Sequence, residues 1–146
     1  MLSQIERLII LKGADLFAAT PEDALIEVAE RLIEQEYPAG TVIVQKGDPG
    51  TSMYLIVEGQ VQVYDGEHQL NTLGPRDVFG EMAVLDPAPR VASVVAMSDL
   101  FVLQLESAVL FELLEHRPEI GRGLIRVLIG HLRARSRDIA AERARQ

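Results

Sequence analysis

The stretch "FGEMAVLDPAPRVASVV" (residues 79–95) places two residues of opposite charge in a segment that is otherwise mostly apolar. Glu81 and Arg90 stand nine positions apart, among aliphatic side chains. Charged side chains are rarely buried unless a partner compensates their charge. The segment therefore predicts either an ion pair that closes one end of the fold or a site for a polar, charged ligand.

The local sequence favours a small cup around these charges. Gly80 permits a sharp turn, while Pro87 and Pro89 stiffen the connection that returns the chain to Arg90. Residues 82–85 are predicted to form one helical turn, whose free N–H groups can hold an anion. A guanidinium suits two phosphate oxygens, and a nearby carboxylate can accept from sugar hydroxyls. Phosphate, sugar and an apolar wall together indicate a nucleotide.

Outward from this cup, over about residues 38–105, apolar side chains recur with a period of two. No helical pattern separates these segments, which favours an antiparallel β-roll or jelly roll (a double-stranded β-helix) over βαβ units. The predicted strands are "TVIVQ", "MYLIVEG", "QVQVY", "HQLNTL", "VASVVAM" and "LFVLQL", and they are joined by turn sequences such as "KGDPGT" and "DGE".

Helices are predicted before the roll, over about residues 3–35. Ser3 and Glu6 have the spacing of a capping box at the start of the first helix. Thr20 can cap a second helix, and Pro21 suits its first turn.

Helical spacing returns over about residues 107–145, where Pro118 is suited to begin the last helix. No linker sequence divides the chain, so residues 1–146 are expected to form one mainly β domain with flanking helices.

Composition limits the class of protein. The chain has 146 residues, 48% of them hydrophobic, and no cysteine, so it can form one core without disulfides or thiolate metal sites. No apolar run approaches the roughly 18 residues that span a bilayer, and no signal peptide is recognisable. These features predict a cytoplasmic protein without a membrane anchor.

Charge is unevenly distributed. Residues 1–121 carry 7 basic and 20 acidic side chains, whereas residues 122–146 carry 7 arginines and 2 acids. An acidic body is a poor surface for duplex DNA. The chain ends directly after the last predicted helix, so no DNA-binding domain is expected to follow.

The central stretch resembles the phosphate-binding cassette of the cyclic nucleotide-binding domain family. That pattern is Phe-Gly-Glu, an aliphatic residue, a small residue, two aliphatics, a short loop and Pro-Arg, followed by a hydroxyl residue and Ala. Residues 37–64 also resemble the early strands of the family. The matching cassette positions are Phe79, Gly80, Glu81, Met82, Ala83, Val84, Leu85, Pro89, Arg90 and Ala92.

The resemblance implies roles for the cassette residues. Arg90 would bind the cyclic phosphate, and Glu81 would accept a hydrogen bond from the ribose 2′-hydroxyl. The backbone N–H groups of Gly80, Met82 and Ala83 would complete the anion seat. The chain would have no cofactor other than this ligand, cAMP or a related cyclic nucleotide.

Further residues are candidates for contact with the base. Val63, Leu70 and Leu73 are expected at inward strand positions, where they could form a wall for the purine or simply pack in the core. In the family the helix after the roll often covers the base. Arg135 could stack on it and Ser136 could hydrogen-bond its edge, unless both belong to an exposed basic face.

One position departs from the family pattern. Members that bind cyclic nucleotides usually carry Ser or Thr after the arginine, whereas this chain has Val91. A side-chain donor to the phosphate is therefore missing, although the backbone N–H remains. Because a threonine here tends to favour cGMP in the family, its absence favours cAMP.

Enzymatic function is not expected. His68, His116 and His131 are far apart in the sequence and lack metal-ligand spacing, and no catalytic motif is recognisable. The sequence therefore predicts a regulatory domain that binds a cyclic nucleotide without catalysis. The alternative is a degenerate member that serves as a ligand-free interaction or dimerisation module.

The last helix also predicts self-association. It carries an apolar stripe that either forms a homodimer interface or packs wholly on the roll of its own chain. An effector protein that responds to the helices is the remaining partner that this interpretation allows. The stripe consists of Ile120, Leu124, Val127, Leu128 and Leu132.

Overall fold

The computed structural model describes residues 1–145. In sequence order, helices precede and follow a β-roll. The helices are α1 (Gln4–Lys12), α2 (Glu22–Glu30), α3 (Glu81–Leu85), α4 (Ser107–His116) and α5 (Pro118–Ala144), with a short 3₁₀ helix at Asp15–Phe17. The strands are β1 (Ile33–Tyr37), β2 (Val42–Val44), β3 (Pro49–Gly50), β4 (Ser52–Glu58), β5 (Val61–Asp65), β6 (His68–Leu73), β7 (Val78–Phe79), β8 (Ala88–Pro89), β9 (Ser93–Ala96) and β10 (Leu100–Glu106). The predicted fold class, a β-roll with flanking helices, is confirmed.

The predicted capping box begins α1. The Ser3 hydroxyl accepts from the N–H of Glu6 at 3.2 Å, and the Glu6 carboxylate accepts from the N–H of Ser3 at 3.0 Å. These reciprocal bonds satisfy two N–H groups that a helix start leaves unpaired.

Two details of the N-terminal prediction are wrong. The helical region does not reach residue 35, because residues 33–37 pair with β10 as strand β1 over their whole length. Thr20 does not cap α2 either. Its hydroxyl is buried without a hydrogen-bond partner in the described chain, because it faces the backbone of α5, where a methyl group on Gly123 would lie 2.9 Å from it.

The strands form two antiparallel four-stranded sheets and one small pair. One sheet has the order β1-β10-β4-β7, and the other has the order β2-β9-β5-β6. The pair β3-β8 matches Gly50 with Ala88 and Pro49 with Pro89. This pair brings the loop before β4 next to the segment that ends at Arg90.

The long central strand β4 is buried on both faces, because the domain has two hydrophobic clusters. Met53 and Leu55 face a cluster formed with the helices. Tyr54 and Ile56 face the interior of the roll, where both large sheets contribute side chains. The helices are therefore joined to the roll through the same strand that carries part of the predicted site.

Helix α5 begins at Pro118, as predicted, and packs on the 3₁₀ helix, α4 and α2. Its later turns are mostly exposed. Within residues 1–145, the helices are all too short or too polar to cross a membrane.

Candidate functional site

The segment between β7 and β9 forms the predicted cup. Phe79 ends β7 and is a buried core residue, with its ring stacked on Tyr54 at a centroid distance of 4.8 Å. Gly80 follows at φ 83°, in the left-handed region that glycine adopts without strain. The turn at Gly80 directs the chain into α3, which is the predicted helical turn.

Arg90 is held through its backbone and its side chain. Its N–H donates to the carbonyl of Asp48 at 2.8 Å, and its carbonyl accepts from the N–H of Gly47 at 2.8 Å. Its Nη2 donates to the carbonyl of Ser52 at 2.9 Å. The side chain therefore points toward the start of β4.

The guanidinium of Arg90 lies close to the backbone of two glycines, in a position called the glycine slot below. A methyl group on Gly50 would overlap Nε and would lie 2.5 Å from Cδ and 2.8 Å from Cζ. A methyl group on Gly80 would lie 2.9 Å from Nη1. The Arg90 side chain is half-buried.

Arg90 and Glu81 do not form the ion pair that the sequence left open. Among residues 1–145, no carboxylate oxygen lies within 4.0 Å of the Arg90 guanidinium. Arg90 turns toward the carbonyl of Ser52, and Glu81 is exposed at the start of α3. A half-buried cation that meets only a neutral carbonyl remains able to bind an anion.

The backbone donors of the cup are only partly available. The N–H of Ala83 donates to the carbonyl of Gly80 at 3.1 Å, so it belongs to the first turn of α3. Without a ligand this N–H is therefore paired, and the role of Ala83 in the anion seat stays a prediction. In the described part of the chain, the N–H groups of Gly80 and Met82 donate to no acceptor, so these two remain available.

A cavity of about 280 Å³ adjoins Arg90, and its polar wall was not predicted. Nε2 of Gln104 donates to Oγ of Ser52 at 2.9 Å and to the carboxylate of Glu106 at 2.7 Å. The hydroxyls of Ser52 and Thr51 also donate to Glu106, the latter at 3.0 Å. Gln104 and Glu106 occupy inward positions of β10, where polar residues interrupt the apolar alternation. That interruption was the signal in the sequence.

Tyr54 also lines this cavity. Burial raises the pKa of the Tyr54 hydroxyl, and Tyr37 adds to the rise, whereas the positive charge of Arg90 lowers the pKa of Tyr54. The hydroxyl therefore stays protonated near neutral pH, where it can donate a hydrogen bond.

The three residues predicted to form a wall for the base do not share one environment. Val63 and Leu73 are half-buried and pack against the roll core. Leu70 is 56% exposed, so the prediction that it faces inward is wrong. Its neighbours Gln69 and Asn71 pair with successive residues of β5, which leaves Leu70 as the extra residue of a β-bulge.

Two aliphatic side chains of the cup face solvent. Met82 and Val91 are each 75% exposed, although the apolar character of the segment favoured burial. Within residues 1–145, these two side chains of the cup segment are therefore largely uncovered. An apolar rim of this kind is surface that a ligand can cover.

Arg135 and Ser136 are exposed on α5 and do not line the cavity beside Arg90. The helix is instead fixed near His131, whose Nε2 lies 2.6 Å from the carboxylate of Asp15. The contacts of Arg135 and Ser136 with a base therefore stay a prediction.

Sequence comparisons identify relatives over most of the chain. Residues 34–117 match the family model described as the cyclic nucleotide-binding domain. A CRP-like cAMP-activated global transcriptional regulator of Mycobacterium tuberculosis is 31% identical over 136 residues. The match covers 90% of this chain and 61% of the regulator, so the chain spans less than two thirds of that relative.

Solved structures show the same fold. The N-terminal domain of a transcriptional regulator from Streptomyces coelicolor superimposes with a TM-score of 0.81 and 29% identity, covering 86% of this chain and 93% of that one. The regulatory domain of Toxoplasma gondii PKA, crystallised with cAMP, gives a TM-score of 0.70 and 29% identity, covering 75% and 44% of the two chains.

Proposed function

Because the chain belongs to the cyclic nucleotide-binding domain family, we propose that it is a non-catalytic sensor domain whose ligand is cAMP or a related cyclic nucleotide. The observation that carries this proposal is the state of Arg90. Its half-buried guanidinium lies in a glycine slot and, among residues 1–145, faces no carboxylate within 4.0 Å. A bound phosphate would supply the missing negative charge.

The family resemblance supplies a role for each residue of the cup. Arg90 binds the two exocyclic oxygens of the cyclic phosphate with its planar fork, and the N–H groups of Gly80 and Met82 add two donors. The carboxylate of Glu81, free of any ion pair in the described chain, accepts from the ribose 2′-hydroxyl. In this proposal the backbone N–H of Val91, which donates to no backbone acceptor in residues 1–145, is a further donor to the phosphate.

The base has apolar surface available nearby. Val63 and Leu73 are half-buried at the edge of the roll core, and Met82 is exposed beside the cup. Val91 lacks the hydroxyl associated with cGMP in the family, so cAMP is favoured. The names of the Mycobacterium tuberculosis regulator and the Toxoplasma gondii structure, both of which refer to cAMP, support this preference.

Replacing Val91 with threonine is expected to strengthen nucleotide binding by about 1 kcal/mol, or roughly fivefold in Kd, because it supplies the missing donor to the phosphate. Calorimetric titration with cAMP and with cGMP measures the change. Val91→Ile is the matched control, since it keeps a branched side chain without a hydroxyl and should leave Kd unchanged. An equal response of the two variants would contradict the role given to this position.

Equilibrium dialysis tests binding and the lack of catalysis together. We expect the total cAMP concentration to be higher in the chamber that contains the protein. Chromatography should detect cAMP and no hydrolysis product in either chamber. Of the carboxylates near the site, Glu81 is assigned to the sugar and Glu106 accepts three hydrogen bonds, while Asp48 also lines the cavity. Equal cAMP in the two chambers would contradict binding, and 5′-AMP whose formation a chelator stops would contradict the non-catalytic assignment.

The apolar stripe on α5 that predicted self-association is buried in its first part and exposed in its later part. Ile120 and Leu124 are buried in the helical core of their own chain, and Val127 is half-buried. Leu128 and Leu132 are exposed. The first part of the stripe therefore packs within the chain, and only the later part is free to meet a partner.

The exposed part of α5 repeats one apolar residue in each heptad. Ile125, Leu132 and Ile139 are exposed and follow one another at intervals of seven residues. A parallel pair of these helices would place Asp138 opposite Arg143 of the partner, five residues further along, as in the usual charge pairs of such dimers. The proposed assembly is a parallel homodimer through α5.

A short path connects the cup with the helices. Thr51, in the loop beside Arg90, accepts from the N–H of Ser107, the first residue of α4, at 2.7 Å. A ligand can shift α4 and α5 only by the difference between its affinities for two helix arrangements. The proposed output is such a shift, which an effector protein detects. Since cyclic nucleotides are intracellular messengers, the proposal places the domain in the cytoplasm.

The alternative is a family member that has lost its ligand and serves as an interaction or dimerisation module. Val91 favours this alternative, because it removes one donor from the phosphate seat. The charge of Arg90, which pairs with no carboxylate among residues 1–145, opposes it, since a half-buried cation without an anion is destabilising.

A further inference from the structure

We propose that Gly50 is a positioning residue for the anion site, because the absence of a side chain there creates one wall of the slot that orients the Arg90 guanidinium. The inference rests on the proposed function. It adds a residue that lies outside the cup and about forty positions earlier in the chain.

The steric requirement is specific to Arg90. A methyl group on Gly50 would overlap Nε, and the same methyl would come within 2.5 Å of Cδ and 2.8 Å of Cζ. All three of the nearest atoms belong to that one side chain. Carbon atoms in van der Waals contact stand about 3.5 to 4.0 Å apart, so Arg90 can occupy this position only while residue 50 is glycine.

The backbone segments that carry Gly50 and Arg90 cannot easily move apart. The pair β3-β8 matches Gly50 with Ala88, and the N–H of Arg90 donates to the carbonyl of Asp48. The strand segment that carries Gly50 and the segment that carries Arg90 are therefore held in one register. A larger side chain at position 50 would displace the flexible guanidinium rather than the paired backbones.

The slot also fixes which part of Arg90 is free. Nη2 donates to the carbonyl of Ser52, and the hydroxyl of Ser52 donates to Glu106. One of the five N–H groups of the guanidinium is thus used, and the other four donate to no acceptor within the described chain. The two glycines lie close to the group, and its remaining N–H groups are the donors that an anion can bind.

Gly50 is a cleaner position for a test than Gly80. At Gly80, φ is 83° and a methyl group would also lie 2.5 Å from the carbonyl of Ser52, so a substitution would strain the backbone as well. Gly50 does not have a left-handed backbone, and the three atoms nearest to an alanine methyl there all belong to the side chain of Arg90.

The experiment measures cAMP binding by calorimetry and apo stability by thermal unfolding in Gly50→Ala. We expect Kd to rise at least tenfold, because the guanidinium must leave the slot. Gly121→Ala is the matched control, since a methyl there makes only an ordinary 3.5 Å contact with Leu114. The control should bind cAMP like the parent.

A double-variant cycle with Arg90→Ala separates this role from a general effect on folding. In the Arg90→Ala background the new methyl has free space, so Gly50→Ala should lower the melting temperature less than it does in the parent. If Gly50→Ala alone does not fold, the double variant should fold like Arg90→Ala.

Parent-like binding of cAMP by folded Gly50→Ala would overturn the proposal. An equal loss of melting temperature in both backgrounds, or a double variant that does not fold, would also overturn it. Failure of the parent to bind cAMP contradicts the proposed function instead, and the stability cycle then still tests whether Gly50 positions Arg90.

Discussion

Replacing Arg90 with alanine is expected to abolish the rise in melting temperature that saturating cAMP produces in the parent protein. Charge-assisted hydrogen bonds contribute about 1.5 to 3 kcal/mol each, and Arg90 supplies the fork of donors to the phosphate. A ligand at about 100 times its Kd stabilises the folded state by roughly 2.7 kcal/mol, which corresponds to several degrees for a domain of this size. Thermal unfolding with and without cAMP measures the loss.

The apo form of Arg90→Ala should remain folded. Arg90 donates one side-chain hydrogen bond, to the neutral carbonyl of Ser52, and such a bond contributes about 1 kcal/mol. Arg126→Ala, on the exposed surface of α5, removes the same charge and should keep the full response to cAMP. If the parent shows no response and Arg90→Ala unfolds much earlier, Arg90 has a structural role and the ligand-free alternative is preferred.

Introducing charge into the exposed seam of α5, formed by Ile125, Leu132 and Ile139, is expected to convert the protein from dimer to monomer. Ile125 and Leu132 are 59% and 65% exposed and lie seven residues apart. Glutamates at both positions of both chains would place four carboxylates in an apolar contact, where burial of unpaired charge is prohibitive. Light scattering at tens of micromolar should give twice 16.1 kDa for the parent and 16.1 kDa for the double variant.

The matched control places the same two glutamates one position further along the helix. Arg126→Glu with Arg133→Glu alters exposed residues outside the seam and should leave the dimer intact. A parent protein with the mass of one chain would contradict the proposed homodimer. The cup around Arg90 lies within one chain, so the binding proposal would not be affected.

Most of the fold could be predicted from local patterns, because helix caps, helix starts and alternating strands each depend on residues that are close in sequence. The capping box of Ser3 and Glu6, the start of α5 at Pro118 and the period-two strands all appear in the structure. Strand β1 was missed because "IEQEY" continues a helical stripe in sequence. Its strand conformation comes from pairing with β10, about sixty-five residues later, which no local pattern reveals.

The site was predictable as far as its motif extends. Gly80 and Arg90 lie together in the structure because the cup is one short segment of chain. Leu70 was misplaced because a one-residue bulge changes the face of a strand without a clear sequence signal. The position of Gly50 against Arg90 could not be predicted, since "GDPG" also has the sequence of an ordinary turn. Its steric role depends on the pairing of β3 with β8.

Calorimetric titration of the parent protein with cAMP is the most direct test of nucleotide binding at Arg90. We expect saturable heat with one nucleotide per chain, and we expect this heat to disappear in Arg90→Ala while the variant remains folded. Cyclic GMP and 5′-AMP, titrated in parallel, should bind more weakly because they lack the matching base or the cyclic phosphate. No heat from the parent up to millimolar cAMP would show that the domain is not a sensor of this nucleotide.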